Sequence, residues 1–324
     1  MDFLELLSLT ARAAVSPEAA VLALAAVGLN LHYGYTGLLN FGQAGFMMMG
    51  AYGLAIGVLS LGLGFAGALA MALAFAAVLA LLMGLPTLRL RADYFAIVSL
   101  AVTESLRLLF RSTWMEPVTG GVQGLQRFGD GFFALNPIPP GDYVLGPLHW
   151  NEAQLFLCGV AWATVAATIL LVRMLVASPW GRVIRAIRDN EPGPTSLGKP
   201  VFRYKMQSLV LGGLIGALAG VLLALSHQDV NPETYLPTLT FFAYTGLVLG
   251  GMGKAWGPVF GVAIFWMIVA VTDGLLAGAS ETLSWLGPQQ VSAARFVLLG
   301  AGLMLLVMYR PDGLFGKRGQ RRAA

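Results

Sequence analysis

Few side chains in this sequence could do chemistry, and they are scattered. Glu104 and Arg107 stand three apart in an apolar run, a spacing that puts them on one helix face within pairing distance. At a rise of ~1.5 Å per residue, Glu104 is expected near the middle of a membrane span. There a carboxylate serves either a structural ion pair or an ion relay. A relay would need further buried acids, and Asp273 is the one other deep candidate. Asn40 and Gln43 flank Phe41-Gly42 within GYTGLLNFGQAGFMMMGAYG. Amides in hydrocarbon require partners, so they either line a polar path at a bent or broken helix or bond to neighbouring helices. His32, His149 and His227 read as isolated, and Cys158 stands far from them, so no metal or nucleophile set emerges. Gly193, Gly198 and Lys199 have phosphate-loop spacing, but Pro200 occupies the magnesium-binding hydroxyl's place and Pro194 sits inside the loop. Val248 spoils the match at Gly253-Lys254. The chain is therefore not expected to hydrolyse ATP, to bind a cofactor or metal itself, or to have a catalytic residue.

The elements that would hold these residues are membrane helices. The chain is 57% hydrophobic and 11% charged, against roughly 25% charged residues in soluble domains. Long apolar runs without strand alternation argue for helices, which satisfy their own backbone in lipid. No cleavable signal peptide is expected from a start that carries Asp2 and Glu5. About nine spans are predicted, near 18–32, 38–59, 65–85, 94–110, 153–176, 206–226, 237–251, 257–278 and 295–309, in one permease-like domain over 1–324. Residues 2–14 form an amphipathic surface segment. Lys and Arg concentrate in the loop 178–205, the link with Arg89 and Arg91, and the tail 310–324, which places all three in the cytoplasm. The net charge of +4 thus reflects topology, and no nucleic acid partner is expected. The acidic, Gly- and Pro-rich segment 112–152 goes outside, as does the N-terminus.

Two further patterns concern packing. Tyr35-Thr36-Gly37-Leu38 recurs as Tyr244-Thr245-Gly246-Leu247, either an inverted repeat or a coincidence in a Gly- and Leu-rich chain. Glycines four apart, Gly212, Gly216, Gly220 and then Gly253, Gly257, Gly261, predict close helix approach.

The loop 178–205 is the most polar long stretch between spans. Ser178 suits a helix cap and Pro179 the first helical position. Trp180, Val183, Ile184 and Ile187 form an apolar stripe, with Arg182, Arg185 and Arg188 around it. Pro192 and Pro194 end the helix. Such a helix lies either on lipid headgroups or in a groove of a partner protein.

GLNLHYGYTGLLNFGQAGF, LRLRADYFAIVSLAVTESLRL, TGGVQGL, SPWGRVIRAIRDNE, FRYK, LGGMGKAWGPVFG and YRPDGLFG stand in order along the chain. Together the sequence resembles the LivM-type permease subunit of branched-chain amino acid ABC importers. The resemblance implies an all-α polytopic permease fold in the bacterial inner (plasma) membrane, with the C-terminus cytoplasmic. It implies a LivH-type second permease, two ATP-binding subunits that use ATP and magnesium, and an extracytoplasmic binding protein that delivers substrate. Gly181, Arg182, Arg185, Ala186, Arg188 and Glu191 would then belong to the loop transmitting ATPase motion. Pro192-Gly193-Pro194 departs from the Ala-rich helix that commonly follows in the family, so the second half of that element is shorter or differently angled. Gly120 and Gly121 are candidate contacts for the binding protein, and the path is expected past Asn40, Phe41, Gly42, Gln43 and Glu104. A urea or short-amide permease remains an alternative substrate class, and an ion-coupled transporter the alternative mechanism. In a Cys158→Ala background, single cysteines between Trp180 and Asn190 should react with an impermeant maleimide only from the cytoplasmic side; labelling from outside would overturn the topology.

Overall fold

The computed structural model describes residues 3–88, 92–145 and 148–282, and five single positions beyond them, 297, 300, 304, 308 and 314. Helix α1 (Phe3–Val15) meets α2 (Pro17–Leu29), which runs on into a π-helical turn, Asn30–Tyr35. After a non-helical break come α3 (Gln43–Leu59), α4 (Phe65–Thr87) and α5 (Ala92–Arg111). A segment of short pieces follows: α6 (Glu116–Thr119), β1 (Leu125–Gln126), α7 (Asp130–Phe133), β2 (Asp142–Leu145) and β3 (Leu148–Asn151). Then come α8 (Glu152–Ala177), α9 (Pro179–Asp189), α10 (Pro192–Ser196), α11 (Val201–His227), β4 (Asp229–Val230), the 3-10 turn Pro232–Tyr235, α12 (Pro237–Gly250) and α13 (Gly257–Thr282). The all-α polytopic class expected from composition is what these elements build. Strands occur only as a hairpin, β2 with β3, and as β1 paired with β4, among the described residues.

Helix α2 is the axis of the bundle. Ser16 accepts from the Ala19 amide at 3.1 Å and Pro17 occupies the first turn, which starts the helix. From Ala19 to Leu29 every residue is buried, as expected of a helix with no polar face. Helices α8, α11, α12 and α13 surround it. The glycine series on α11 does what close approach requires: a Cβ on Gly220 would stand 1.8 Å from the Met47 carbonyl oxygen of α3, and one on Gly50 2.2 Å from that of Ala217. The second series divides. Gly253 lies in the turn after α12 with φ +75°, and Gly257 and Gly261 alone belong to α13, against Gly250 and Gly246.

Among the described residues, four helices are long and apolar enough to cross a membrane: Phe65–Thr87, Glu152–Ala177, Val201–His227 and Gly257–Gly274. A fifth crossing is available if Ser8–Val15 and Pro17–Tyr35, bent by 46°, count together. Three of the expected spans need revision. The run 38–59 begins its helix only at Gln43, because Gly37 takes φ +77° and Asn40 folds back on the Gly42 amide. The 237–251 span is a short apolar helix, Pro237–Gly250. Helix α5 carries Asp93, Glu104, Arg107 and Arg111, too many charges to count as an apolar span. Residues 2–14, expected at the surface, form α1 from Phe3 onward, which lies along α13. The expected span 295–309, the tail 310–324 and the Arg89 and Arg91 link fall outside the described residues, the single positions apart. The Tyr-Thr-Gly-Leu echo does not extend to local structure, since the first copy lies at the break and the second inside α12.

Gly220→Leu should lower thermal stability in detergent by about 1–3 kcal/mol or more, because α3 cannot yield backbone space. Gly159→Leu, where nothing lies within 4 Å of the added atom, should stay within about 1 kcal/mol of the parent. Equal effects would contradict the close α3–α11 contact.

Candidate functional site

The break between the π turn and α3 is where polar chemistry concentrates. Asn30, His32, Asn40 and Gln43 are each 0% exposed, and each finds partners. The Gly37 and Leu38 amides still bond the Tyr33 and His32 carbonyls at 3.1 and 2.9 Å, but beyond them the chain has no helical ladder until α3, and side chains supply the partners. Asn40 donates its amide to the Tyr244 hydroxyl at 3.1 Å, and that hydroxyl can donate to the Asn40 carbonyl at 3.0 Å. The Phe41 amide donates to Ser99 Oγ at 3.0 Å from α5, and the Ala44 amide to Thr240 Oγ1 at 2.9 Å from α12. Gln43 Nε2 reaches the carbonyls of Ala25 at 3.4 Å and Gly212 at 3.3 Å.

These bonds settle a protonation state. The Gly42 amide needs an acceptor and takes Asn40 Oδ1 at 2.9 Å, so Asn40 Nδ2 faces His32 Nδ1 at 3.1 Å. An amide NH2 only donates, which makes Nδ1 the acceptor. The proton therefore sits on His32 Nε2, which donates to the Leu209 carbonyl at 3.1 Å. His32 is a neutral structural junction, not the isolated residue that its sequence spacing implied. Phe41 is half-buried and stacks near Phe241 and Tyr244, with ring centroids 5.6 and 5.3 Å away. A Cβ on Gly42 would meet the Ser99 carbonyl oxygen at 2.7 Å.

Glu104 belongs to another neighbourhood. Arg107 Nε donates to Glu104 at 3.0 Å, and its Nη1 reaches Glu233 in the 3-10 turn at 3.1 Å, as does Arg111. Glu104 lies about two turns from the C-terminal end of α5, and its partner Arg107 is bound to the 3-10 turn. The Arg107 side chain is 8% exposed and that of Glu104 37%, so the arginine is the desolvated member.

At the opposite end of the bundle, α9 turns back against α8 and α11. Pro179 opens the helix, but Ser178 does not cap it: its hydroxyl donates at 2.6 Å to the Leu175 carbonyl in the last turn of α8. Gly181 permits the tight corner, since a Cβ there would lie 2.1 Å from the Val176 carbonyl oxygen. Arg185 closes the same corner by donating to the Gly181 and Val176 carbonyls at 3.1 and 3.2 Å. Ile184 and Ile187 are buried, while Arg182, Arg185 and Ala186 face outward. Arg188 crosses to the Gly34 carbonyl at 2.6 Å. Beyond Asp189 the chain breaks and resumes as the five-residue α10 behind Pro192, and Glu191 is held by Lys205 at 2.6 Å. The second half of the element is thus short, as Pro192-Gly193-Pro194 implied.

Asn30 ties this end together, donating to the Lys254 carbonyl at 2.8 Å and accepting from the Gly253 amide at 2.9 Å. In the short-element segment, Gly120 and Gly121 both have positive φ, +73° and +57°, and Gly121 is buried. Exposed apolar side chains beside them are Trp114, Val118 and Val122. Asn40, Gln43, Arg185 and Arg188 are legible in the sequence, whereas the partners Ser99, Thr240 and Asn30 carry no local signal. Tyr244 was visible only as part of the echo.

Residues 13–308 match the family model described as branched-chain amino acid transport system / permease component. The high-affinity branched-chain amino acid transport system permease protein LivM of Escherichia coli is 30% identical over 309 residues, covering 89% of this chain and 66% of that protein. A probable LivM of Methanocaldococcus jannaschii is 25% identical over 90% of this chain and 89% of its own. LivH of Escherichia coli is 28% identical over 91% of both. This chain spans about two thirds of the bacterial LivM length. With the apolar helices and the family model matched over most of its length, the chain is a multi-pass membrane protein belonging to the branched-chain amino acid transport permease family.

Proposed function

We propose that this chain is one permease subunit of an ATP-driven importer in the bacterial inner membrane. It would translocate branched-chain amino acids that an extracytoplasmic binding protein delivers. The observation that carries the reading is α9, an amphipathic helix whose buried stripe locks it to the bundle while Arg182, Arg185 and Ala186 remain outward. A helix held so firmly yet presenting a basic face is suited to a partner's groove, where it transmits force. The partners are a second, LivH-type permease, two ATP-binding subunits that carry out hydrolysis with magnesium, and the binding protein. Similarity to both LivM and LivH supports pairing with a related permease.

The α9 end would be cytoplasmic. Leu314 supports the same side for the C-terminal segment, since its amide bonds the Leu249 carbonyl at 2.9 Å near the α12 end. The segment with Gly120, Gly121 and exposed Trp114 and Val122 would receive the binding protein. The path would run beside Asn40, Phe41, Gly42 and Gln43, with the Glu104–Arg107–Glu233 cluster at its outer end. This state would be a closed one, because the amides at the break are all internally bonded.

Asn40→Leu removes the partners of His32 Nδ1 and the Gly42 amide together, at about 1–3 kcal/mol for each buried group left unmet. Detergent-solubilised Asn40→Leu should therefore melt well below the parent, and an unchanged melting temperature would contradict the network. The function itself is tested in proteoliposomes holding the complete complex and binding protein. Uptake of labelled leucine should require internal ATP and survive a protonophore; uptake that needs the proton gradient and ignores ATP would defeat the proposal.

A further inference from the structure

The motion of α9 must reach the transport path through some particular contact, and the geometry singles one out. Among the described residues, the side-chain bonds that leave α9 end in three places. Trp180 donates to Gln207 of α11 at 2.9 Å, and Arg185 caps α8 through the Val176 carbonyl. Both tie α9 to continuous helices. Arg188 alone ends on the π-helical turn, at the Gly34 carbonyl.

That turn is unusual in construction. A π turn is wider than an α turn and energetically poorer, and it persists where surroundings hold it. Here Gly34 is held on three sides. A Cβ would stand 2.0 Å from Asn30 Oδ1 and 2.8 Å from the Gly253 amide nitrogen, and the Arg188 guanidinium covers the carbonyl. Asn30 in turn clasps the turn 251–256 through Gly253 and Lys254. Two residues before Gly34 stands His32, whose imidazole holds Asn40. Two residues after it, the Thr36 hydroxyl lies 2.6 Å from that of Ser208 on α11. The π turn is therefore joined to the break by one turn of backbone, by the Gly37 and Leu38 amides on the Tyr33 and His32 carbonyls at 3.1 and 2.9 Å, and by the His32–Asn40 side-chain bond.

We propose that Arg188 is the positioning residue that couples α9 to the break, with the π turn Asn30–Tyr35 as the joint and Asn30 as its second anchor. This rests on the importer reading above and names the contact through which that importer is driven. When α9 is displaced, the charge-assisted Arg188–Gly34 bond pulls on the π turn. His32 then shifts against Asn40 and loosens the buried amides that close the path. The remaining arginines serve other ends: Arg185 keeps the α8–α9 corner rigid, and Arg182 faces outward. Rigid attachment at one end and a π turn at the other make α9 a lever with a defined point of action.

The test uses the whole complex with its binding protein in proteoliposomes, reading leucine taken up per ATP hydrolysed. Arg188→Ala should leave the ATP-binding subunits co-purifying and ATP hydrolysis active. Leucine per ATP should fall roughly tenfold, the weight of one charge-assisted hydrogen bond. Arg188→Lys, which keeps one donor within reach of the Gly34 carbonyl, should recover part of the loss. Asn30→Asp keeps the acceptor for Gly253 and loses the donor to Lys254, so it should uncouple as well, less severely. An unchanged leucine-to-ATP ratio in Arg188→Ala and Asn30→Asp would overturn the proposal. Loss of the ATP-binding subunits on Arg188→Ala, with no recovery in Arg188→Lys, would overturn it in favour of a docking role. A parent complex that takes up no leucine with ATP would instead remove the importer reading, a result distinct from both.

Discussion

The structure turns on one constraint. A helix broken inside an apolar bundle must have every freed backbone group satisfied by protein, since hydrocarbon offers no hydrogen bonds. The break at residues 37–42 and the first turn of α3 meet that demand with side chains from α5 and α12 and with Asn40 of the break itself. Ser99, Thr240, Tyr244 and Gln43 would be unremarkable polar residues elsewhere. Here they set the relative positions of α2, α3, α5, α11 and α12, because each bond tolerates only tenths of an ångström. The network therefore specifies the packing as much as the apolar contacts do.

Close backbone approach is the second condition. Gly220 and Gly50 bring main-chain atoms of α3 and α11 together, Gly216 makes room for the Gln43 and Phe46 side chains, and Gly212 for the His32 ring and the Gly28 carbonyl. Only at that distance can Gln43 reach the Gly212 carbonyl and His32 the Leu209 carbonyl. Small residues and polar residues are thus one design. The former remove the volume that would hold the helices apart, and the latter use the proximity that results.

At the other end the same logic is turned outward. α9 is bound to the bundle by Ile184, Ile187 and carbonyl-directed arginines, leaving a charged face in the open. A surface helix without such anchors would yield under load. Its attachment to the α8 corner and to the π turn makes it move with the bundle. The ion cluster of Arg107, Glu104 and Glu233 has a quieter role, tying the end of α5 to the turn after α11.

Much of this was legible in the residues alone. Apolar runs of about 20 residues identify helices that lipid can hold, and α4, α8, α11 and α13 lie where the runs lie. The α9 helix followed from Pro179, the Ile184–Ile187 stripe and the prolines after Asp189, all local signals. The ordered motifs identified the family. The site was half-visible: Asn40 and Gln43 announced themselves as amides in an apolar stretch. Their partners did not, because Tyr244 is 204 positions from Asn40 and Ser99 is 58 from Phe41. His32 escaped for a different reason. It is eight residues from Asn40 across a chain reversal, and periodicity describes only unbroken helices. Local patterning decides which segments are helical and which surfaces are apolar. Where a helix must stop, which tautomer a buried imidazole holds and where an arginine is aimed depend on groups brought together from distant segments, so tertiary packing alone decided them.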